Sequence, residues 1–155
     1  MTQHIHSYPS IFSLGHSAVA SLTDGPVVVE EKIDGSQFSF GLDAESGEIL
    51  ARSKGKDLVV DEPEKMFRMA VESVKERAHL LCPGWIYRGE YLAKPKHNTL
   101  AYDRAPVGNV ILFDVNPGLE MYLSPNERTE EAARIGLESV PVLYEGRLQS
   151  VDAFR

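Results

Sequence analysis

The chain contains a single cysteine, Cys82, among its 155 residues. One thiol excludes an intrachain disulfide framework, and it supplies no cluster of the kind that holds a structural zinc ion. We expect Cys82 to be a small buried hydrophobic residue. The stability of the fold must then come from an apolar core, and the chain is long enough for one domain with such a core.

Long apolar runs are also missing. No stretch approaches the ~20 consecutive apolar residues that a membrane-spanning helix requires. The opening residues, MTQHIHSYPS, lack the basic start and the apolar stretch of a secretory signal peptide. We therefore expect a cytoplasmic protein with no membrane partner.

Positive charge is in short supply. The chain has 16 Lys and Arg residues against 23 Asp and Glu residues, for a formal net charge of -7. That balance argues against wholesale non-specific binding to nucleic acid, which depends on cations that neutralise phosphates. Two stretches are nevertheless locally basic, ARSKGK at 51–56 and AKPKHN at 93–98. Such patches suit a groove that holds phosphates.

Strand-like segments dominate what is present. Runs rich in Val, Ile, Tyr and Phe are bounded by turn residues, which is typical of β-strands. In chain order they are PVVVEEKID, SQFSFGLDA, EILARS, WIYRGEYL, NVILFDVN, EMYLS and PVLYEGRL. The residues DAESGEI predict a hairpin between the second and third runs, with Gly47 at the position that needs a positive φ.

Residues 61–81 predict the first helix. Asp61 or Glu62 can begin it, and Pro63 suits its first turn. Apolar residues then recur at spacings of three and four, which indicates one buried helical face. The members of this stripe are Phe67, Ala70, Val71, Val74, Ala78 and Leu81.

The segment SPNERTEEAARIGL predicts the second helix. Ser124 is the expected N-cap, Pro125 the first helical residue, Glu127 the partner that completes a capping box, and Gly136 the stop. Strands and helices in this irregular order predict a single α+β domain over residues 1–155, with antiparallel sheets flanked by helices.

The stretch VVVEEKIDGSQFSF, at 27–40, raises a question of function. If it is one strand, alternation puts Glu30, Lys32 and Asp34 on the same face. A solvated face on an edge strand explains such charges. A nucleophilic lysine explains them too, because neighbouring carboxylates can orient the amine and burial can lower its pKa. The Lys-x-Asp-Gly pattern alone does not separate the two interpretations.

Four more short motifs follow it. In chain order the set is Lys-Ile-Asp-Gly at 32–35, Arg-Ser-Lys-Gly at 52–55, Arg-Gly-Glu at 88–90, Leu-Phe-Asp at 112–114 and Glu-Gly-Arg-Leu at 145–148. This ordered set resembles the successive nucleotidyltransferase motifs of the covalent superfamily that includes DNA ligases, RNA ligases and mRNA capping enzymes. The resemblance implies the α+β fold of a ligase adenylation domain.

Within that superfamily the chain most resembles the ATP-dependent RNA ligases. The residues that carry this resemblance are EKIDGSQFSF, together with RGEYLAKPKHNTLAYDRAP leading into VILFDV. The resemblance covers about residues 8–148. It implies an enzyme that uses ATP to activate an RNA 5′-phosphate end and then seals the nick to a 3′-hydroxyl.

The resemblance also implies roles for particular residues. Lys32 would attack the α-phosphate of ATP and keep AMP as lysyl-AMP, which requires a neutral amine. Glu90 would accept hydrogen bonds from the ribose, and Phe113 would stack on the adenine. Glu145 would help to bind Mg2+ or Mn2+. The remaining implied residues are Glu31, Asp34, Gly35, Gln37 and Arg52 for the nucleotide, and Lys54, Lys94, Lys96 and His97 for RNA or phosphate.

Ordinary structural roles compete with these assignments. Phe113 in an apolar strand is commonly a core residue, and Glu90 or Glu145 is commonly a charge at the end of a strand. The KPKHN stretch is otherwise a solvated loop. The order of the motifs is what favours the functional interpretation.

The chain departs from the family pattern near its end. A Lys-x-Lys pair is expected after the Glu-Gly motif, but Glu145 is followed by Arg147 and Arg155 and by no lysine. We expect impaired adenylation and an adenylation domain that is incomplete at its C-terminus. A missing strand would leave an unpaired sheet edge near 142–148, which invites self-association. Gln37 stands where the family more often has a basic residue or Asn.

Several alternatives remain open at this stage. The chain is a piece of a longer ligase, a natural short relative that binds nucleotide, or half of a site that another chain completes. A capping-type guanylyltransferase would use the same Lys32 with GTP. A nucleotide- or RNA-binding module would bind ATP without forming a covalent adduct.

Overall fold

The computed structural model describes residues 4–14 and 16–148. In chain order the strands and α-helices are β1 (Pro26–Glu30), β2 (Ser36–Leu42), β3 (Ile49–Ser53), α1 (Arg68–Arg77), β4 (Ile86–Tyr91), β5 (Val110–Asn116), α2 (Pro125–Arg134), β6 (Glu138–Ser139) and β7 (Val142–Arg147). Short 3-10 turns occur at Ser17–Val19, Lys65–Phe67, Ala78–Leu80 and Val107–Asn109. Contacts divide the chain into two units, the first with residues 4–7 and 33–139 and the second with residues 8–32 and 140–148.

The first unit is built on a five-stranded sheet with the order β3-β2-β4-β5-β6. All neighbouring pairs are antiparallel except β5 and β6. The predicted hairpin joins β2 to β3, where Gly47 has a φ of 73° and Asp43 N–H donates to the carbonyl of Glu48 at 2.8 Å. The α+β architecture with antiparallel sheet is therefore confirmed.

One face of this sheet forms the core. Phe38 and Phe40 of β2 are fully buried, as are Tyr87 of β4 and Leu112 of β5. Side chains of both α-helices join the same apolar cluster, so the helices cover this face. The residues that alternate with them along the strands are largely polar, which makes the opposite face a polar one. They include Gln37, Ser39, Arg52, Arg88 and Glu90.

The first helix is shorter than the sequence pattern predicts. A 3-10 turn at Lys65–Phe67 precedes α1, which begins only at Arg68. Pro63 disfavours helical backbone at the residue before it, and Glu64 is extended with a ψ of 143° and makes no capping hydrogen bond. The predicted apolar stripe is nevertheless buried at Phe67, Ala70, Val71, Val74 and Leu81, while Ala78 is half-buried.

Cys82 is half-buried rather than buried. Its thiol donates to Glu131 at 3.6 Å, and the hydroxyl of Tyr87 donates to the same carboxylate at 2.6 Å. Arg134 donates to Glu131 from two nitrogens, at 2.6 and 2.7 Å. Burial acts to raise the pKa of Glu131, but the hydrogen bonds from Arg134 and Tyr87 outweigh burial and lower that pKa. The cysteine therefore lies at the margin of a polar network and not in the apolar core.

The second unit contains β1 and β7, which pair in antiparallel fashion from Pro26 with Arg147 to Glu30 with Val142. One edge of β7 is thus paired with β1. The other edge has no partner among the described strands, and Leu143 is 64% exposed there. Self-association through it stays a prediction. None of the helices in the described ranges has the length and apolar character needed to cross a bilayer.

β1 ends earlier than predicted. The strand stops at Glu30, and Glu31 N–H donates to the carbonyl of Pro141 at 3.1 Å. Ile33 is then buried within the first unit, and the chain turns at Asp34 and the bend at Gly35 before β2 begins at Ser36. Because Lys32 and Asp34 follow the strand rather than form part of it, the expectation that they share one strand face with Glu30 is wrong.

The capping box of α2 provides a test of the local prediction. Ser124 Oγ accepts from Glu127 N–H at 3.2 Å, and Ser124 N–H donates to the Glu127 carboxylate at 3.0 Å. Ser124→Ala should lower the free energy of unfolding by about 1 kcal/mol, because a helix N–H loses its acceptor. Urea denaturation measures this, with Ser10→Ala at an exposed loop position as the control. Equal stability of the two variants would contradict the prediction.

Candidate functional site

A β-bulge in β5 shapes the polar face of the five-stranded sheet. Arg88 pairs with Asp114 and Gly89 pairs with Leu112, so Phe113 is an extra residue. Leu112 and Val115 are buried on the core side. Alternation from each of them puts Phe113 and Asp114 on the opposite, polar face. Phe113 is half-buried there and is not the core residue that an apolar strand suggests.

Gln37 and Glu90 form a direct cross-strand pair between β2 and β4. Both side chains are half-buried on the polar face. The carboxylate of Glu90 also accepts a hydrogen bond from Gly35 N–H at 3.2 Å. The pairing register therefore brings together two of the residues predicted to bind the nucleotide, and it ties one of them to the Asp34–Gly35 turn.

Arg52 lies on the same face at the edge strand β3, opposite Ser39. It donates to Ser7 Oγ at 2.8 Å and to Asp57 at 3.3 Å. Its Nε is buried and has no hydrogen-bond partner in the described part of the chain. Lys54 is exposed in the turn that follows β3. The structure thus gives Arg52 a defined orientation, whereas Lys54 is solvated.

A buried arginine that we did not predict occupies the centre of the polar face. Arg88 is 5% exposed. It donates to Asn116 at 3.0 Å, to Ser39 at 3.2 Å and to the carbonyl of His6 at 2.6 Å. The guanidinium therefore links β2, β4 and β5 to the segment that contains His6. The available sequence signal was its position two residues before Glu90, which puts both side chains on one strand face.

The carboxylate of Asp34 accepts hydrogen bonds from other residues of the protein. Its carboxylate accepts from the backbone N–H groups of Leu100 at 2.8 Å and Thr99 at 2.9 Å, and from the Asn98 amide at 3.4 Å. Its own N–H donates to the hydroxyl of Tyr102 at 2.8 Å. The hydrogen bonds from Leu100 and Thr99 hold the pKa of Asp34 below its ordinary value, so the group is ionised at neutral pH. A nucleotide-binding role for Asp34 stays a prediction.

Gly35 is required by a close backbone approach. A Cβ at this position would lie 2.5 Å from the carbonyl oxygen of Tyr91 and 3.0 Å from a side-chain carbon of Leu92. The carbonyl of Gly35 accepts from the Asn98 amide at 2.9 Å. Any side chain here would push the turn away from the end of β4.

The ring of His97 is held on both sides. Nδ1 accepts from Ala93 N–H at 3.1 Å, and Nε2 lies 2.9 Å from Ser36 Oγ. Because a backbone N–H can only donate, the neutral ring carries its proton on Nε2, which donates to Ser36. Lys94 and Lys96, by contrast, are exposed. Of the three residues predicted to contact RNA in this stretch, only the two lysines extend into solvent.

Three predicted residues belong to the second unit. Lys32 is exposed just beyond β1, Glu31 is half-buried, and Glu145 is exposed on β7 opposite Val28. The other ten belong to the first unit. Among residues 4–14 and 16–148, no three His, Cys, Asp or Glu side chains group as a metal site. A single carboxylate such as that of Glu145 fits an ion that arrives with phosphate oxygens and water, as Mg2+ commonly does, and not an ion in a protein cage.

Comparison with known proteins tests the predicted family independently. A family model described as RNA ligase matches residues 25–154. No curated protein sequence matches the chain. Because 130 of the 155 residues lie within the matched range, the likeness concerns most of the chain.

Solved structures extend the comparison. A Naegleria gruberi RNA ligase variant with ATP and Mn is 17% identical, with a TM-score of 0.65 over 88% of this chain and 41% of that one. An apo variant of the same ligase is 15% identical, with a TM-score of 0.66 over 99% of this chain and 49% of that one. An archaeal ATP-dependent RNA ligase is 20% identical, with a TM-score of 0.61 over 91% of this chain and 38% of that one. The chain thus spans less than half of these ligases, and their nucleotidyltransferase fold is the one predicted for it.

The contact at Gly35 leads to a stability prediction. Gly35→Ala should lower the free energy of unfolding by about 1–3 kcal/mol, because the added methyl group meets backbone that must shift. Gly55→Ala is the matched control, since nothing lies within 4 Å of a Cβ built there. Guanidinium denaturation of both variants measures the difference. A Gly35→Ala protein as stable as Gly55→Ala would show that the turn tolerates a side chain.

Proposed function

Since this chain belongs to the RNA ligase family, we propose that it carries out the adenylation chemistry of an ATP-dependent RNA ligase. The observation that supports this best is the polar face of the five-stranded sheet. There Gln37 pairs with Glu90, Arg52 is oriented by two hydrogen bonds, and the bulge in β5 puts Phe113 on the same side. A face built in this way offers hydrogen bonds, a cation and a flat apolar surface to one ligand.

Lys32 is the proposed nucleophile. The lone pair of its neutral amine attacks the α-phosphorus of ATP, a P–N bond forms, and the bond to the bridging oxygen breaks so that pyrophosphate leaves with the electron pair. The amine loses its proton to solvent. A phosphate oxygen of an RNA 5′ end then attacks the phosphorus of lysyl-AMP, the P–N bond breaks, and the lysine amine leaves with a proton taken from solvent while AMP stays on the RNA end. Finally the 3′-hydroxyl loses its proton to solvent, its oxygen attacks that 5′-phosphate, and the bond to AMP breaks so that AMP leaves with the electron pair.

Glu90 and Phe113 are the proposed contacts to the nucleoside. A half-buried carboxylate is a suitable acceptor for ribose hydroxyls, and Gln37 beside it can donate as well as accept. Phe113 offers a ring face on the side away from the core, where adenine can stack. The family resemblance assigns Glu31 to the neighbourhood of the adenine.

Cationic side chains are the proposed contacts to phosphates. Arg52 has a buried Nε that lacks an acceptor among the described residues, as expected of a guanidinium that awaits a phosphate oxygen. Lys54, Lys94 and Lys96 are exposed and can reach the backbone of an RNA end. These cations provide local positive charge in a chain whose formal net charge is -7.

A divalent cation, Mg2+ or Mn2+, would neutralise charge on the phosphates when bound. Glu145 is the residue that the family pattern offers as its ligand. Its exposed carboxylate leaves room for water and phosphate oxygens around such an ion.

Covalent labelling tests the proposed nucleophile. Incubation with ATP and Mg2+ or Mn2+ should add the mass of one AMP to the intact protein, and Lys32→Ala should abolish the addition because the attacking amine is gone. Intact-mass spectrometry measures this, with Lys65→Ala as the control at another exposed lysine. Labelling by GTP alone would assign the chain to the capping type. ATP binding without any adduct would indicate a nucleotide-binding module.

The adenine contact has its own test. Phe113→Ala should raise the dissociation constant for ATP about 10-fold, since stacking of a base on an aromatic ring contributes about 1–3 kcal/mol. Phe113→Tyr keeps the ring face and should restore most of the affinity. Isothermal titration with the Lys32→Ala background avoids turnover, and Phe12→Ala serves as the control at an exposed phenylalanine. An unchanged dissociation constant would remove Phe113 from the nucleotide site.

A further inference from the structure

The connection between β4 and β5 is a structured segment, residues 94–102, and not a simple solvated loop. Tyr102 N–H donates to the carbonyl of Pro95 at 2.9 Å, and Lys96 pairs with Ala101 as an isolated bridge. These contacts fold the segment back on itself like a short hairpin. Lys94 and Lys96 are exposed, and other residues of the segment make hydrogen bonds to the turn at 34–36.

Two side chains of the segment make hydrogen bonds to that turn. His97 reaches Ser36 Oγ with one ring nitrogen and the Ala93 N–H with the other. Asn98 donates to the carbonyl of Gly35 at 2.9 Å and to Asp34 at 3.4 Å. Both ring nitrogens of His97 and the amide nitrogen of Asn98 are therefore engaged within the protein.

Backbone groups and the Tyr102 side chain of the segment make further hydrogen bonds to Asp34. Asp34 accepts the N–H groups of Thr99 and Leu100, and it donates its own N–H to Tyr102. A charged acceptor with two backbone donors is among the stronger hydrogen-bonding arrangements. On the other side of the turn, Gly35 N–H donates to Glu90. Every residue from 34 to 36 is thus fixed by at least one contact to a distant part of the chain.

The turn lies close to Lys32 in the chain. Asp34 follows Lys32 by two residues, so the conformations open to Lys32 depend on how firmly the turn is held. A displacement of about 1 Å in a reacting group can cost about 100-fold in rate. If the turn is already fixed before ATP binds, Lys32 is displaced less and less rate is lost.

We propose that residues 94–102 act as a clamp on the turn after Lys32, with His97 and Asn98 as positioning residues for attack on ATP and not as contacts to RNA. The clamp rests on the proposed function, since it concerns the adenylation step of the same site. The two parts of the KPKHN stretch then have different roles. The lysines remain available to RNA phosphates, while His97 and Asn98 serve the step that precedes RNA binding.

Single-turnover adenylation without RNA tests the clamp. His97→Ala removes both ring contacts, and Asn98→Asp is nearly isosteric but sets a carboxylate against Asp34 and the Gly35 carbonyl. Each should slow lysyl-AMP formation about 10- to 100-fold. The dissociation constant for ATP should change less than about 3-fold, because Glu90, Phe113 and Arg52 are unchanged. His97→Gln keeps a donor for Ser36 and should recover part of the rate.

Thr99→Ala is the matched control. Thr99 lies in the clamp but contributes only its backbone N–H to the contacts given above, and alanine keeps that group. Its adenylation rate should stay within about 2-fold of the parent rate. If His97→Ala forms the adduct as fast as Thr99→Ala, or loses only RNA affinity, the clamp is refuted and His97 returns to the RNA-contact role.

Amide hydrogen exchange distinguishes failure of the clamp from failure of the proposed function. His97→Ala and Asn98→Asp should speed exchange at the N–H groups of Asp34, Gly35 and Leu100 about 10-fold, while Thr99→Ala should not. If the parent protein forms no adduct but this exchange pattern is found, the ligase proposal fails and the clamp stands as a structural coupling. Unchanged exchange in both variants refutes the clamp whether or not the protein reacts with ATP.

Discussion

The antiparallel pairing of β2 with β4 is the constraint on which the larger unit depends. It sets Phe40 against Tyr87, whose rings stack with centroids 5.2 Å apart, and it sets Gln37 against Glu90. Because successive side chains alternate between faces, one register determines both the apolar core and the polar face behind it. A shift of one residue would exchange the two faces and destroy both. The core and the candidate nucleotide site are thus two results of a single pairing.

The polar face is stabilised by hydrogen bonds that compensate for burial. A guanidinium as deeply buried as that of Arg88 is tolerated only when acceptors surround it, and Ser39, Asn116 and the carbonyl of His6 supply them. Hydrogen bonds also fix the turn that follows Lys32, where the carboxylate of the half-buried Asp34 accepts two backbone N–H groups. In both places polar groups hold the backbone still, so rigidity in this unit is not confined to its apolar core.

Features governed by neighbouring residues were predictable. The capping box of α2 involves Ser124 and Glu127, three residues apart, and the hairpin after β2 needs only Gly47 in its turn. The buried stripe of α1 follows from helical spacing. The start of α1 lies later than predicted although its cause is also local, because Pro63 disfavours helix at the residue before it and Glu64 is extended without a capping hydrogen bond. The order of the short motifs was sufficient to indicate the family.

By itself the sequence determined the α+β class, the short-range turns and caps, and the RNA ligase family, because each depends on residue type at close spacing or on the order of motifs along the chain. Only the tertiary structure decided that β7 pairs with β1, that Arg88 lies buried at the centre of the polar face, and that His97 bonds Ser36. These contacts join residues dozens of positions apart. Their partners are selected by the register of the strands and by the need to satisfy buried polar groups, and no local pattern in the sequence records that selection.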